Sequence, residues 1–260
     1  MESRFIDFER IWRSILQAVA FLLFGVGGLA LGTVGYGVLW LLPVPTATKT
    51  GLIQKAVHYA FRLFLWFVET CKGMEFRFEG ADLLEHPGAG LIIANHPTLL
   101  DVVVLISRLP QADCIVKREL WNHVFLGAIV RSAGYISNDD GPELTEAAMR
   151  RLEAGRKVII FPEGTRSLPE GLRPFTKGFA HIAVRSHCLL WPVVMTCRPS
   201  ALTKGMSVFA VPARRARLSA VVGSPVRAED YYEGQDPVPV AVRKVAAALQ
   251  RYFEEKAVYA

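Results

Sequence analysis

At 260 residues, with a formal net charge of +6 and a pI near 9.2, the chain has room for one sizeable core and not for two ordinary domains. Its hydrophobic fraction of 52% and mean hydropathy of +0.28 exceed those of a typical soluble enzyme, so part of the apolar surface is expected to face lipid. The positive charge suits an anionic partner, but nucleic acid is disfavoured: the basic residues are scattered, no zinc or helix-turn-helix spacing occurs, and a long apolar leader has no place in such a protein.

The first element is that leader. No charged side chain occurs between Arg13 and Lys49, and 15–43 is almost wholly apolar, long enough to cross a bilayer core. Residues 1–48 are therefore read as a membrane anchor and 49–260 as the domain it carries. The length of the run and the acids Glu2, Asp7 and Glu9 argue against a cleaved signal peptide. Gly25, Gly27, Gly28, Gly32, Gly35 and Gly37 allow either one closely packed helix or a helical hairpin that dips in and returns. Basic residues flank the run on both sides, so charge leaves its orientation open.

Residues 51–70 form a second hydrophobic segment, with Lys55, His58 and Arg62 on one polar stripe. That pattern fits an interfacial helix and equally a first helix packed on the sheet. Strand-like runs follow at 74–78, 90–95, 113–117, 134–137, 157–161 and 190–196, with helical stretches at 98–108, 119–132, 142–154 and 177–187. Two more strands are expected at 206–211 and 217–222 as an antiparallel edge, then a closing helix over 238–259. The fold class is α/β: a mixed, mostly parallel sheet flanked by helices. Cys71, Cys114, Cys188 and Cys197 stand far apart, without metal-ligand spacing, which fits a reduced, cytosol-facing domain with the thiols as apolar fillers.

Two segments carry chemistry. Asn95-His96-Pro97-Thr98-Leu99-Leu100-Asp101 follows an apolar strand, where open α/β sheets place ligands. Pro97 can begin the next helix, leaving His96 at the corner. Asp101, five residues beyond His96, can reach back to one imidazole nitrogen and set up a general base. The second segment, Phe161-Pro162-Glu163-Gly164-Thr165-Arg166-Ser167, also follows a strand. Gly164 lets the backbone turn, Thr165 and Ser167 offer hydroxyls, and Arg166 offers a forked cation for phosphate or carboxylate. Glu163 can bond a hydroxyl, orient Arg166 or brace the loop. Lys177 lies just ahead of a helix, where it can steer the same anion. There is no G-x-S-x-G elbow, Walker A loop or G-x-G-x-x-G turn, so serine hydrolysis and nucleotide use are disfavoured.

The H-x-x-x-x-D of His96 and Asp101, followed in order by Phe161 to Arg166, resembles the glycerolipid acyltransferase family that includes 1-acyl-glycerol-3-phosphate acyltransferases. Leu190-Trp191-Pro192-Val193-Val194 and Lys117-Arg118-Glu119-Leu120 resemble further blocks of that family. The resemblance implies that His96 is the base and Asp101 its orienting acid, and that Glu163, Gly164, Thr165 and Arg166 help to bind the acyl acceptor. It also implies an acyl donor that is a thioester of coenzyme A or acyl carrier protein, membrane lipids as partners, no cofactor and no metal. The expected location is a membrane, the bacterial inner membrane with the catalytic domain facing the cytoplasm. Aromatic and leucine residues of the anchor and the following helix are candidates to shape an acyl tunnel. One departure stands out. Many relatives that acylate lysophosphatidic acid carry a phosphate-binding arginine after a Phe-Ile-Asp-like strand. This chain reads Gly134-Tyr135-Ile136-Ser137-Asn138-Asp139-Asp140 there, which disfavours a phosphate monoester at that place and leaves Arg131 or Arg166 to compensate.

Overall fold

The computed structural model describes residues 2–86, 88–138, 141–168 and 170–257. The chain opens with helix α1 (Glu2–Ala30), which passes through a π-helical turn (Leu31–Gly35) into α2 (Tyr36–Trp40) without a break. The glycine-rich stretch therefore makes no hairpin. Gly32 instead lies so close to Ala128 and Ile129 that a Cβ there would stand 2.4 Å from the Ile129 nitrogen. The reversal comes only at 41–45, and α3 (Thr46–Thr70) runs back along α1.

The domain follows as β1 (Met74–Glu79), β2 (Gly90–Ala94), α4 (Asp101–Ile106), β3 (Ala112–Val116), α5 (Arg118–Trp121), α6 (Gly127–Ser132), β4 (Ile136–Ser137), α7 (Gly141–Glu153), β5 (Lys157–Ile160), α8 (Gly178–Ser186), β6 (Leu189–Arg198), β7 (Ala216–Val222) and α9 (Val238–Lys256). The described strands form one sheet in the order β1-β7-β6-β2-β5-β3-β4. All neighbours are parallel except β6 and β7, so the expected mixed, mostly parallel α/β sheet is what forms.

Leu91, Ile92 and Ile93 of β2 are fully buried, as a strand covered by helices on both faces requires. Alternation sends Ile92 and Ala94 into the core shared with α3, α4 and α6, and Leu91 and Ile93 into the core shared with α7, α8 and α9. Register then sets the site. Ile93 lies opposite Ile160, so the residues three places beyond each, His96 and Glu163, leave the sheet side by side.

Several expected elements differ. Residues 206–211 form no strand: β7 pairs directly with β6, and the segment lies against α1, where Gln17 bonds the Val208 carbonyl and Arg13 bonds the neighbouring Ala213 carbonyl at 2.6 Å. The helix expected over 119–132 splits into α5 and α6. The chain folds back so tightly that a Cβ on Gly127 would strike the Trp121 carbonyl, an approach only glycine permits. The strand expected at 134–137 shrinks to β4 because Gly134, at φ +65°, is spent on ending α6. On α3 the polar stripe divides: Lys55 and Arg62 are exposed, but His58 is buried, with Nδ1 2.8 Å from the Ile106 carbonyl. Asp139, Asp140 and Tyr259 lie outside the described residues.

A buried polar knot fixes α3 to the edge of the sheet away from the site. Asp113, at 0% exposure, takes bonds from Arg156 and from Gln54 Nε2 at 3.1 Å, while Gln54 also reaches the Ala133 carbonyl at 2.9 Å. Removing one partner of such a knot strands the others. Asp113→Ala is expected to cost about 2–3 kcal/mol, tempered by the partial exposure of Arg156. Denaturant unfolding of the detergent-solubilised protein measures this, and a loss within experimental error would show that the knot is replaceable by water.

Candidate active site

His96 sits where β2 ends, and Asp101 is the first residue of α4. The helix starts there, later than the expected 98, because residues 98–100 turn to place the carboxylate among donors. His96 Nδ1 lies 2.7 Å from Asp101 Oδ2, the same oxygen accepts the Thr98 N–H at 2.8 Å, and Oδ1 accepts the Thr98 hydroxyl at 2.6 Å. Asp101 is wholly buried, and those donors supply what water would have supplied. A carboxylate only accepts, so Nδ1 carries the proton and Nε2 presents its lone pair. The imidazole face packs on Phe161, with ring centroids 4.4 Å apart.

The second loop holds the first from behind. The His96 N–H donates to Glu163 Oε1 at 2.9 Å, and the Ser167 N–H donates to the His96 carbonyl at 2.7 Å. Glu163 Oε1 also accepts the Ser167 hydroxyl at 2.7 Å, and Oε2 accepts the Arg173 N–H at 2.9 Å. Of the three uses open to Glu163 by chemistry, the geometry favours the brace. Gly164 adopts φ +63°, the left-handed turn that lets the loop double back. Arg166 Nη1 donates to the carbonyls of Leu202 at 2.9 Å and Thr203 at 3.2 Å.

His96 lines an apolar cavity of about 560 Å³ whose walls come from α1 (Leu16, Phe24), α3 (Phe61, Phe64), α4 and α6. That size lies within the ~300–1,000 Å³ usual for ligand pockets. Phe24 stacks on Phe61 and meets Phe64 edge-on, so the leader helix itself forms one wall. Behind Asp101 lies the Cys197 thiol, pushed up to about 12 by burial and by the Asp101 charge; it stays a neutral filler. All four cysteines are free.

A model of the acyltransferase family matches residues 75–196, the stretch that contains both loops and the strands that present them. Over that stretch the chain is similar to the acyltransferase family. Among its relatives are three named 1-acyl-sn-glycerol-3-phosphate acyltransferase. The protein of Cocos nucifera is 26% identical over 88% of this chain and 73% of its own length. The alpha form of Mus musculus is 27% identical over 84% and 76%. The Helicobacter pylori protein is 35% identical over 42% of this chain and 48% of its own length, so against this last relative the acyltransferase spans about half. The crystal structure of the 1-acyl-sn-glycerophosphate (LPA) acyltransferase PlsC from Thermotoga maritima superposes with a TM-score of 0.66 at 20% identity, over 95% of this chain and 99% of that one; that likeness concerns the fold.

Of the residues singled out in the acyltransferase sequence, His96, Asp101, Glu163, Gly164, Thr165 and Arg166 come together at one end of the sheet. Lys177 does not join them. It is exposed ahead of α8, and among the described residues no hydrogen bond or ion pair ties its side chain to the loop. Arg131 is engaged by the Trp121 carbonyl. Sequence reasoning missed Lys204, whose Nζ is 3.3 Å from the Thr165 hydroxyl, and Arg173, whose Nε bonds the Arg166 carbonyl at 3.1 Å. No local pattern marks either one, because the segments around them meet only in the folded domain. Glu163→Ala is expected to lower kcat about 100-fold through misplacement of His96. Steady-state kinetics check this, and a rise in KM at full kcat would show instead that Glu163 contacts substrate.

Proposed function

We propose that this acyltransferase moves a fatty acyl group from a thioester of coenzyme A or acyl carrier protein to the free hydroxyl of 1-acyl-sn-glycerol-3-phosphate, with His96 as general base. The observation that carries the reading is the placement of His96, paired with Asp101, at the wall of an apolar cavity. It brings a base to the reacting hydroxyl beside space for the hydrocarbon chain. The acceptor follows the names of the relatives.

In this mechanism His96 Nε2 takes the acceptor hydroxyl proton as the oxygen bonds to the thioester carbonyl carbon. The tetrahedral adduct collapses with cleavage of the carbon–sulfur bond, and the imidazolium returns the proton to the leaving thiolate. Asp101 keeps the ring in the productive tautomer and balances the transient imidazolium charge. No cofactor or metal enters any step.

The same reading places the protein on one face of a membrane. The helix Phe8–Trp40 is long and apolar enough to cross one, and Ile11, Ile15, Leu22 and Val26 are exposed along it. Yet α1 packs beside α3, whose exposed Leu52, Tyr59, Leu63 and Trp66 alternate with exposed Lys55, Arg62 and Glu69. A spanning α1 would carry those charges into hydrocarbon at about 2.5–3.5 kcal/mol for each cation. Lying in the interface leaves them among headgroups.

With purified protein in mixed micelles, His96→Ala is expected to reduce transfer from acyl-CoA to 1-acyl-sn-glycerol-3-phosphate by about 10³-fold. Retention of most activity would dispose of the base assignment, and transfer confined to an unphosphorylated acceptor would overturn the acceptor. On sealed vesicles, a protease added outside is expected to reach the flanks at both ends of the leader, 1–7 and 41–45. Protection of one flank would show a spanning helix instead.

A further inference from the structure

Two loops beside the leader helix end in apolar tips that the core does not take up. Val124 and Phe125 stand between α5 and α6, and Val208 and Phe209 between β6 and β7. Val124 is 78% exposed and Phe209 62%. Scattered singly, such residues mean little, but these two tips are fastened to the same side of α1. A Cβ on Gly25 would lie 3.8 Å from the Phe125 ring and one on Gly28 3.3 Å from the Phe125 carbonyl, while Gln17 bonds the Val208 carbonyl. Gln17 and Gly25 are about 12 Å apart along the helix axis. On the other side of α1, Trp12 Nε1 donates to the Cys71 carbonyl at 2.9 Å, just beyond α3. The exposed Ile11, Ile15, Leu22 and Val26 therefore face outward between α3 and the two loops.

Cations frame both tips. Lys117 and Arg118 precede the first, against one acid, Glu119, and Lys204 and Arg214 bracket the second; all of these are exposed. The second loop lies within 171–228, a stretch with nine Lys and Arg and no Asp or Glu. Apolar side chains set in a cationic surround suit a bilayer that carries anionic headgroups. From within, the same two loops wall the cavity beside α1 through Phe125, Leu126, Val211 and Pro212, whereas Val124 and Phe209 stand outside that wall.

We infer that the tips of these loops, Val124 with Phe125 and Val208 with Phe209, insert into an anionic bilayer on the flank of α1. The inference rests on the interfacial placement of α1 proposed above. It gives the membrane contact three strips: the outward residues of α3, those of α1, and the two tips, with their cations among the headgroups. The continuity of the tips with the apolar face of α1 favours lipid over an acidic protein partner. Such a partner would engage Lys204 and Arg214 and leave Val124 and Phe209 in water.

The test places an environment-sensitive fluorophore on Val124→Cys, Phe209→Cys or Val238→Cys, one at a time, in the full-length protein carrying Cys71→Ser; the other three thiols are buried. Val238 is the control, a half-exposed apolar residue at the start of α9, which packs on the other face of the sheet. On vesicles of phosphatidylcholine and phosphatidylglycerol, the labels at 124 and 209 are expected to shift to the blue and to be quenched by brominated lipid. The label at 238 is expected to do neither. Val124→Ser combined with Phe209→Ser is expected to lower partition onto the same vesicles about tenfold, with the rate on a short-chain acceptor dissolved as monomer little changed. Labels at 124 and 209 that stay in water on vesicle-bound protein overturn the inference and leave the interfacial α1 standing, and they decide the matter even where the double substitution disturbs folding. Unchanged partition of the double variant overturns it too. So does a blue shift of the two tips with acyl carrier protein and none with vesicles, which gives the surface to a protein partner. Unsubstituted protein that does not bind vesicles overturns both this inference and the membrane reading beneath it.

Discussion

A carboxylate with no access to water has to be surrounded by donors, and Asp101 imposes that condition on everything near it. Thr98 meets it with backbone N–H and hydroxyl, and His96 with Nδ1. To supply those donors the chain must leave β2, turn through Pro97 and start α4 at the acid itself. The imidazole is then fixed in tautomer and direction before any substrate arrives. The second loop completes the arrangement by holding the His96 backbone on both its N–H and its carbonyl. Preorganisation here is a property of two strand ends whose register brings them level.

How much of this could be read in advance follows from the range of each interaction. The pair His96 and Asp101 is local, five residues apart across a strand-to-helix corner, so its spacing suggests it, and the second block in order makes the suggestion specific. The alternation of apolar strands with crossover helices reveals the parallel centre of the sheet for the same reason. Glu163 was visible as a residue, but its use as a brace depends on the alignment of β2 with β5, which no single segment encodes. Lys204 and Arg173 were invisible because their neighbours are assembled by tertiary packing. The segment 206–211 misled in the opposite way. Its apolar residues mimic a strand, yet they face the leader helix and the surface, where Phe209 is exposed.

Small residues decide where helices stop or approach in this protein. Gly127 allows the chain to fold back against Trp121, and Gly134 ends α6 in a left-handed turn. Gly32 brings the π-helical turn against the backbone of α6. A glycine-rich apolar run is ambiguous by composition, since the missing Cβ serves a hinge and a close contact equally well. Here contact prevails because α6 offers a backbone surface for Gly32 to meet.

The leader helix has one face toward the outside and the other, through Leu16, Phe21 and Phe24, toward the cavity beside His96. On the proposed reading, attachment to lipid and contact with the acyl chain are built from opposite sides of the same rod. Any change in how deeply or at what angle that rod rests in lipid is also a change in the shape offered to an acyl chain. On the proposed reading such an enzyme would sense the physical state of its membrane while making the lipids that determine that state, and its chain preference would become a variable of the bilayer as well as of the sequence.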